Sequence, residues 1–227
     1  MHWIDPNHLP RTEGTVKRFL VNPHGEIDGL LLSDGLEVHV PPHLDAELRA
    51  AVQPGAAIAV FGVRPRGVEM ISAVAIEAGP GRLIVDNGPP KKQHGGNETA
   101  EAAGHKPEAK APHPPAEAEG LVQRVLHGPK GEPRGVLLED GRIIRVPPHD
   151  AKERGALMQP GIRLAARGPG LTAHGVTVID AKEVGATVAS LQPVKPKPPK
   201  DGGKAHKTEP HEGKPHDAKP PKRPKHA

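Results

Sequence analysis

The residues of this chain best suited to chemistry are cations spaced along its second half, Lys130, Arg134, Arg142, Arg145 and Arg167, with His174 close behind. Gathered on one surface, such groups neutralise phosphates, an attraction that weakens as salt is added. The first half offers a sparser set at matching places: His24, His39, Arg64 and Arg66, with Phe61 standing where the second half has Arg167. A ring at one of these positions and a guanidinium at the other can each stack on a base. A third group closes the chain, Lys195, Lys197, Lys200, Lys219, Lys222, Arg223 and Lys225, where intervening prolines keep the charges extended and apart.

Other chemistries find little to stand on. The absence of cysteine removes disulfides, thiolate zinc sites and thiol nucleophiles together. No glycine-rich phosphate loop, nucleophile elbow or metalloprotease helix is present, so neither catalysis nor a cofactor is expected. Asp34-Gly35 and Asp140-Gly141 are explained by turn chemistry. Fifteen histidines are many, and imidazole suits nickel, copper and zinc. Those of the tail, His206, His211, His216 and His226, are held apart between prolines, and the repeated His43 and His149 supply one imidazole per unit. No metal site is assigned.

The elements that must position these cations come from an internal duplication. Gly29 to His43 and Gly135 to His149 read as the same β-hairpin, two apolar runs joined through Asp-Gly, a pair that tolerates the positive φ angles of a tight turn. Around them, 14–62 aligns to 120–168 without a gap, with roughly half of the positions identical. Each unit reads as a first strand (Thr15 to Val21; Leu121 to His127), the hairpin, a Pro-Pro stop, a short helix, and two further strands. The first helix carries Leu44, Leu48, Ala51 and Val52 on one face, and Gly155 interrupts the second. The fourth strands read as Ala57 to Phe61 and Arg163 to Arg167, and the fifth as Val68 to Ile76 and Val176 to Val184. Arg82 to Val85 suggests a sixth. Alternation sends Val38, Val40, Ile144 and Val146 inward and places Glu37, His39, Ile143 and Arg145 on the opposite face.

Three strands, a short helix, then two strands is an order that resembles the small bacterial OB-fold domains often described as nucleic-acid-binding. The resemblance covers about 14 to 78 and 120 to 185. It implies an all-β chain of two small five-stranded barrels, each with a helix between strands three and four. It also implies a ligand surface on strands two and three, flanked by the loops between strands one and two and between four and five. On that surface fall Lys130, Arg134, Arg142, Arg145, Arg167 and His174 in one unit, and His24, His39, Arg64 and Arg66 in the other.

The expected organisation is an arm at 1–13, barrels at 14–87 and 119–191, a disordered linker at 88–118 and a disordered Lys/Pro/His-rich tail at 192–227. Charge is uneven: residues 1–90 hold seven Lys/Arg against eleven Asp/Glu, whereas 192–227 hold ten against four. The partner implied is nucleic acid, single-stranded DNA or RNA, bound through phosphates by the second barrel and the tail, whose composition resembles linker-histone-like tails. The first residues have no leader pattern and no apolar run is long enough for a bilayer, so the expectation is a cytoplasmic protein without membrane contact. The alternatives are a protein-interaction scaffold with a Pro-rich docking tail, favoured by the acidic first unit and the scarcity of rings, and a histidine-based metal binder.

Overall fold

The computed structural model describes residues 5–89 and 113–195. The first unit contains β1 (Arg11–Val21), β2 (Ile27–Leu32), β3 (Glu37–His39), α1 (Asp45–Ala51), β4 (Ala57–Val63), β5 (Met70–Glu77) and β6 (Leu83–Val85). The second contains β7 (Pro115–His127), β8 (Pro133–Leu138), β9 (Ile143–Arg145), α2 (Pro148–Glu153), β10 (Arg163–Ala173), β11 (Val176–Asp180), β12 (Glu183–Gly185) and β13 (Gln192–Pro193).

In both units the first strand is shared between two neighbours. Val16 to Val21 pairs with β2, while Arg11 to Thr15 pairs with β4. A register shift between Val16 and Arg18 recurs between Val122 and Arg124, as expected where a bulge bends a strand around a small barrel. The parallel pairings β3–β5 and β9–β11 close each sheet into a five-stranded ring. Each unit is therefore an OB-like barrel with its short helix between the third and fourth strands.

Turn chemistry is as the sequence suggests, with Gly35 at φ 92° and Gly141 at φ 90° in the two Asp-Gly hairpins. The helix α2 stops at Glu153, two residues before Gly155. Strand limits differ from expectation for a reason of pairing. Strand one begins at Arg11 and its counterpart at Pro115, inside the stretches read as arm and linker, because β4 and β10 offer them unpaired edges. The second fifth strand is broken into β11 and β12, and Gln192–Pro193 adds a ladder to β12.

Each barrel encloses an aliphatic core. Val16, Leu30, Leu32, Val38, Leu48 and Ile76 contribute to one, and Val122, Val136, Leu138, Ile144, Met158 and Val184 to the other. A third apolar cluster belongs to neither barrel alone. It joins Leu20, Val21 and Leu31 to Leu126, Leu137, Ile143, Val176 and Val178. Strand β2 is consequently buried at every position from Ile27 to Leu32, on both faces.

Candidate nucleic-acid interface

The faces of strands two and three expected to meet a ligand are packed against each other. Alternation puts Glu37, His39, Ile143 and Arg145 on the outward side of their barrels, and all four are buried because the other barrel lies over them. Arg145 is only 7% exposed; its Nη2 donates to Asp28 Oδ1 at 2.5 Å and to the Val21 carbonyl at 3.1 Å. Glu37 Oε1 accepts from the His127 backbone N–H at 2.8 Å, and its Oε2 lies 3.0 Å from the His127 ring. Arg145 and His39 thus depart from the expected open surface, since the acidic face of the first unit and the basic face of the second serve each other.

Burial governs the ionisation of this seam. His39 is pushed down to about 4, first by burial and then by the nearby charges of Arg134 and Arg145. Burial raises Asp28 above the ordinary carboxylate range despite the opposing pull of Arg145 and Arg134. Burial likewise lowers Arg18, against the attraction of Asp140.

The packing has the reciprocity of a two-fold dimer made within one chain. Arg18 and Arg124 occupy equivalent positions, and each donates to the hairpin glycine carbonyl of the other unit, Arg18 to Gly141 at 3.0 Å and Arg124 to Gly35. Their Nε atoms are buried without a partner among the described residues. The loops clasp in the same reciprocal way. A Cβ on Gly131, between β7 and β8, would come within 2.9 Å of Val68 and 3.2 Å of Pro65 in the β4–β5 loop. On the opposite edge, a Cβ on Gly25 would sit 3.6 Å from Leu171 and Ala173 in the β10–β11 hairpin, where His174 Nε2 lies 3.2 Å from the Gly25 carbonyl.

This arrangement divides the expected cations that stay outside the seam into two groups. Arg64, Arg66, Lys130 and Arg134 are exposed, and none forms an ion pair with a described residue. The first two flank Pro65 and the third precedes Gly131, so the Pro65–Gly131 contact brings them to one edge of the seam, contributed by both units. Arg142 and Arg167 are already occupied. Arg142 pairs with Asp140 at 2.5 Å and donates to the Glu119 carbonyl at 3.0 Å. Arg167 bridges Glu117 at 2.8 Å and Glu183 at 3.0 Å, and hydrogen bonding to Glu117, ahead of all else, raises its pKa. Phe61, half-buried, lies beneath the Arg11 guanidinium at 6.0 Å, so its ring already faces a cation.

His174 takes a left-handed φ of 52° in a tight turn, with its ring edge-on to Phe19 at 6.4 Å and 3.8 Å from Asp45. Lys195 is tied down: its side chain pairs with Glu153, and its carbonyl lies 2.7 Å from His149 Nε2. Lys197, Lys200, Lys219, Lys222, Arg223 and Lys225, with the tail histidines, lie outside the described residues. Among the described residues no three His, Cys, Asp or Glu side chains are placed to hold a metal ion, and no helix is long and apolar enough to cross a membrane.

Sequence reasoning assigned no functional role to the seam's own Arg18, Arg124, Asp28, Glu37 and His127. One signal for them was present, an arginine kept at the same outward strand position in both units. The other was the opposed charge of the two units, readable as mutual attraction as well as attraction for an outside polyanion.

By topology and by its doubled seam, the chain is a tandem OB-like barrel protein. No protein-family model matches it, and no curated protein does. Among solved structures, a deletion mutant of the single-stranded DNA binding protein from Thermus aquaticus is matched with 13% identity and a TM-score of 0.24, over 84% of this chain and 96% of that one. A likeness of that size adds nothing to the fold established by the strand pairings.

Proposed function

We propose that this chain is a non-catalytic module that binds single-stranded nucleic acid through phosphate contacts, largely without reading sequence. The observation that carries the reading is the composite edge where Arg64 and Arg66 from one barrel meet Lys130 from the other, all exposed and without an ion pair to a described residue. Glu69 and Glu132 are the nearby acids in sequence, and Glu132 accepts from the Lys130 backbone N–H at 3.0 Å, leaving the lysine ammonium outside that bond. A strand lying along this edge would touch both barrels, so only the assembled pair presents the full set of cations.

The scarcity of exposed rings favours backbone contacts over base stacking. The seam removes the strand-two and strand-three faces from contact with ligand. Arg142 and Arg167, held by carboxylates, would contribute less than the composite edge.

The test is fluorescence anisotropy of a labelled oligothymidylate across about 0.05 to 0.2 M salt. Each lost phosphate contact flattens the plot of log K against log salt by about 0.7 for a single strand. R64A/R66A/K130A should therefore flatten it by about 2 and weaken binding at low salt. An unchanged slope, or an equal effect from R142A/R167A, would remove the composite edge from consideration.

A further inference from the structure

Strand β6 ends the sheet of the first unit: one side pairs with β5, and no described strand lies along the other. Its counterpart in the second unit is β13, since Ala75 pairs with both Phe61 and Val85 as Glu183 pairs with both Arg167 and Pro193. The two edges differ at one position. Pro193 has no N–H, and its carbonyl accepts from Arg154 Nη2 at 3.0 Å, so the outer side of β13 has little left to pair. At β6 the same place is held by Val85.

The Ala78 N–H donates to the Arg82 carbonyl and the Asp86 N–H to the Val74 carbonyl, both at 2.8 Å, which turns the backbone groups of residues 82, 84 and 86 toward β5. Those of Leu83 and Val85 therefore point outward. The Val85 carbonyl accepts from the Asn87 N–H at 3.0 Å and keeps its second lone pair. The Leu83 side chain is 47% exposed. The strand is anchored: Ile84 sits in the barrel core, and Asp86 Oδ1 lies 3.0 Å from His43 Nε2 and accepts from the Gly88 N–H at 2.9 Å.

We infer that β6 is a self-pairing edge, to which a second copy of this chain adds its own β6, antiparallel, across a two-fold axis at Ile84. The run Arg82-Leu-Ile-Val-Asp86 is its own complement in that register. Leu83 meets Val85 of the second copy in a pair that exchanges both backbone hydrogen bonds, and Arg82 stands directly opposite Asp86 of the second copy. Arg82 is exposed and has no ion pair with a described residue, and Asp86 Oδ2 has no described partner. A two-residue slip sets Arg82 against Ile84 or Gly88 and loses the charge match. The tail of this chain is a poorer occupant, because its prolines lack the donors a ladder needs. An isologous contact closes on itself, and with β13 blunted by proline, growth stops at the dimer.

The test is sedimentation equilibrium of the full chain without nucleic acid, from about 10 μM to about 1 mM, where so small an interface dissociates. The wild type should pass from monomer to dimer across that range. V85P installs the residue that the second unit carries at this place and removes one intermolecular hydrogen bond from each copy, so it should weaken the dimer about tenfold or more. L83K puts a charge on the edge without altering the backbone; it should act in the same direction, and it carries the test if the proline variant melts early. R82E sets carboxylates opposite each other at both ends of the pairing and should weaken the dimer more at low salt than at high.

A wild type that stays monomeric throughout, or a dimer unmoved by V85P and L83K, overturns the proposal. A dimer that R82E leaves as strong as that of the wild type has a different register and equally overturns it.

Discussion

Arg145→Ala tests whether the seam, and not solvent, is the environment of the outward strand faces. The guanidinium lies in a buried pair with Asp28, 2.5 Å between Nη2 and Oδ1, and also donates to the Val21 carbonyl through Nε and Nη2. Truncation leaves a carboxylate at 6% exposure with its nearest cation gone. Removing one partner of a buried pair costs about 3 to 5 kcal/mol, because the remaining charge keeps its desolvation and loses its compensation. An exposed pair is worth at most about 1 kcal/mol. Urea denaturation followed by far-UV circular dichroism at neutral pH reads the difference directly, with R167A as the exposed comparison.

Two controls sharpen the Arg145 prediction. Asp28 is already raised by burial, and losing Arg145 raises it further, so the R145A penalty should shrink as pH falls and the carboxylate takes up a proton. D28N/R145M, which removes both charges with little change of volume, should recover most of the loss. If R145A costs less than about 1 kcal/mol, no more than R167A, the seam is not holding the two barrels as described.

Three further outcomes follow from the same geometry. His39, depressed from 6.5 to about 4, is neutral in the folded chain where the unfolded chain would be protonated. Its contribution is therefore complete above about pH 6.5 and is lost as pH falls toward 4. The stability difference between wild type and H39Q should shift by about 3 kcal/mol between pH 7 and pH 4, and an unchanged difference would show that the ring is not buried beside Arg134 and Arg145. Gly62 and Gly168 occupy one repeat position, where a Cβ would meet the Ser72 carbonyl oxygen at 2.3 Å or that of Asp180 at 2.0 Å; G62A and G168A should each cost about 1 to 3 kcal/mol in thermal or urea unfolding. Leu137→Ala, which empties a fully buried site in the apolar cluster joining the barrels, should cost about 2 to 5 kcal/mol, whereas truncation of the exposed Leu83 should cost far less.

Much of the fold is legible in the amino-acid order because its signals are local. The Asp-Gly turns require backbone angles few other pairs accept, Pro-Pro ends a ladder by lacking donors, and a gapless repeat carries an inference from one unit to the other. Element order then leaves few arrangements besides a five-stranded barrel. The candidate site is less legible. Glu37 and His39 alternate with valines just as solvent-facing residues do, and the alternation of a strand says which residues share a face but nothing of what covers it.

The sequence by itself determined that two small barrels form and where their turns and helices lie, since those outcomes follow from φ preferences, missing donors and period-two patterning. Only the tertiary structure decided that Asp28, Glu37, His39, Arg145, Arg18 and Arg124 join the barrels, and that Arg64, Arg66 and Lys130 from distant segments meet at one edge. The physical reason is that both outcomes depend on which surface lies opposite, and contacts between residues of different units leave no periodic mark in either strand.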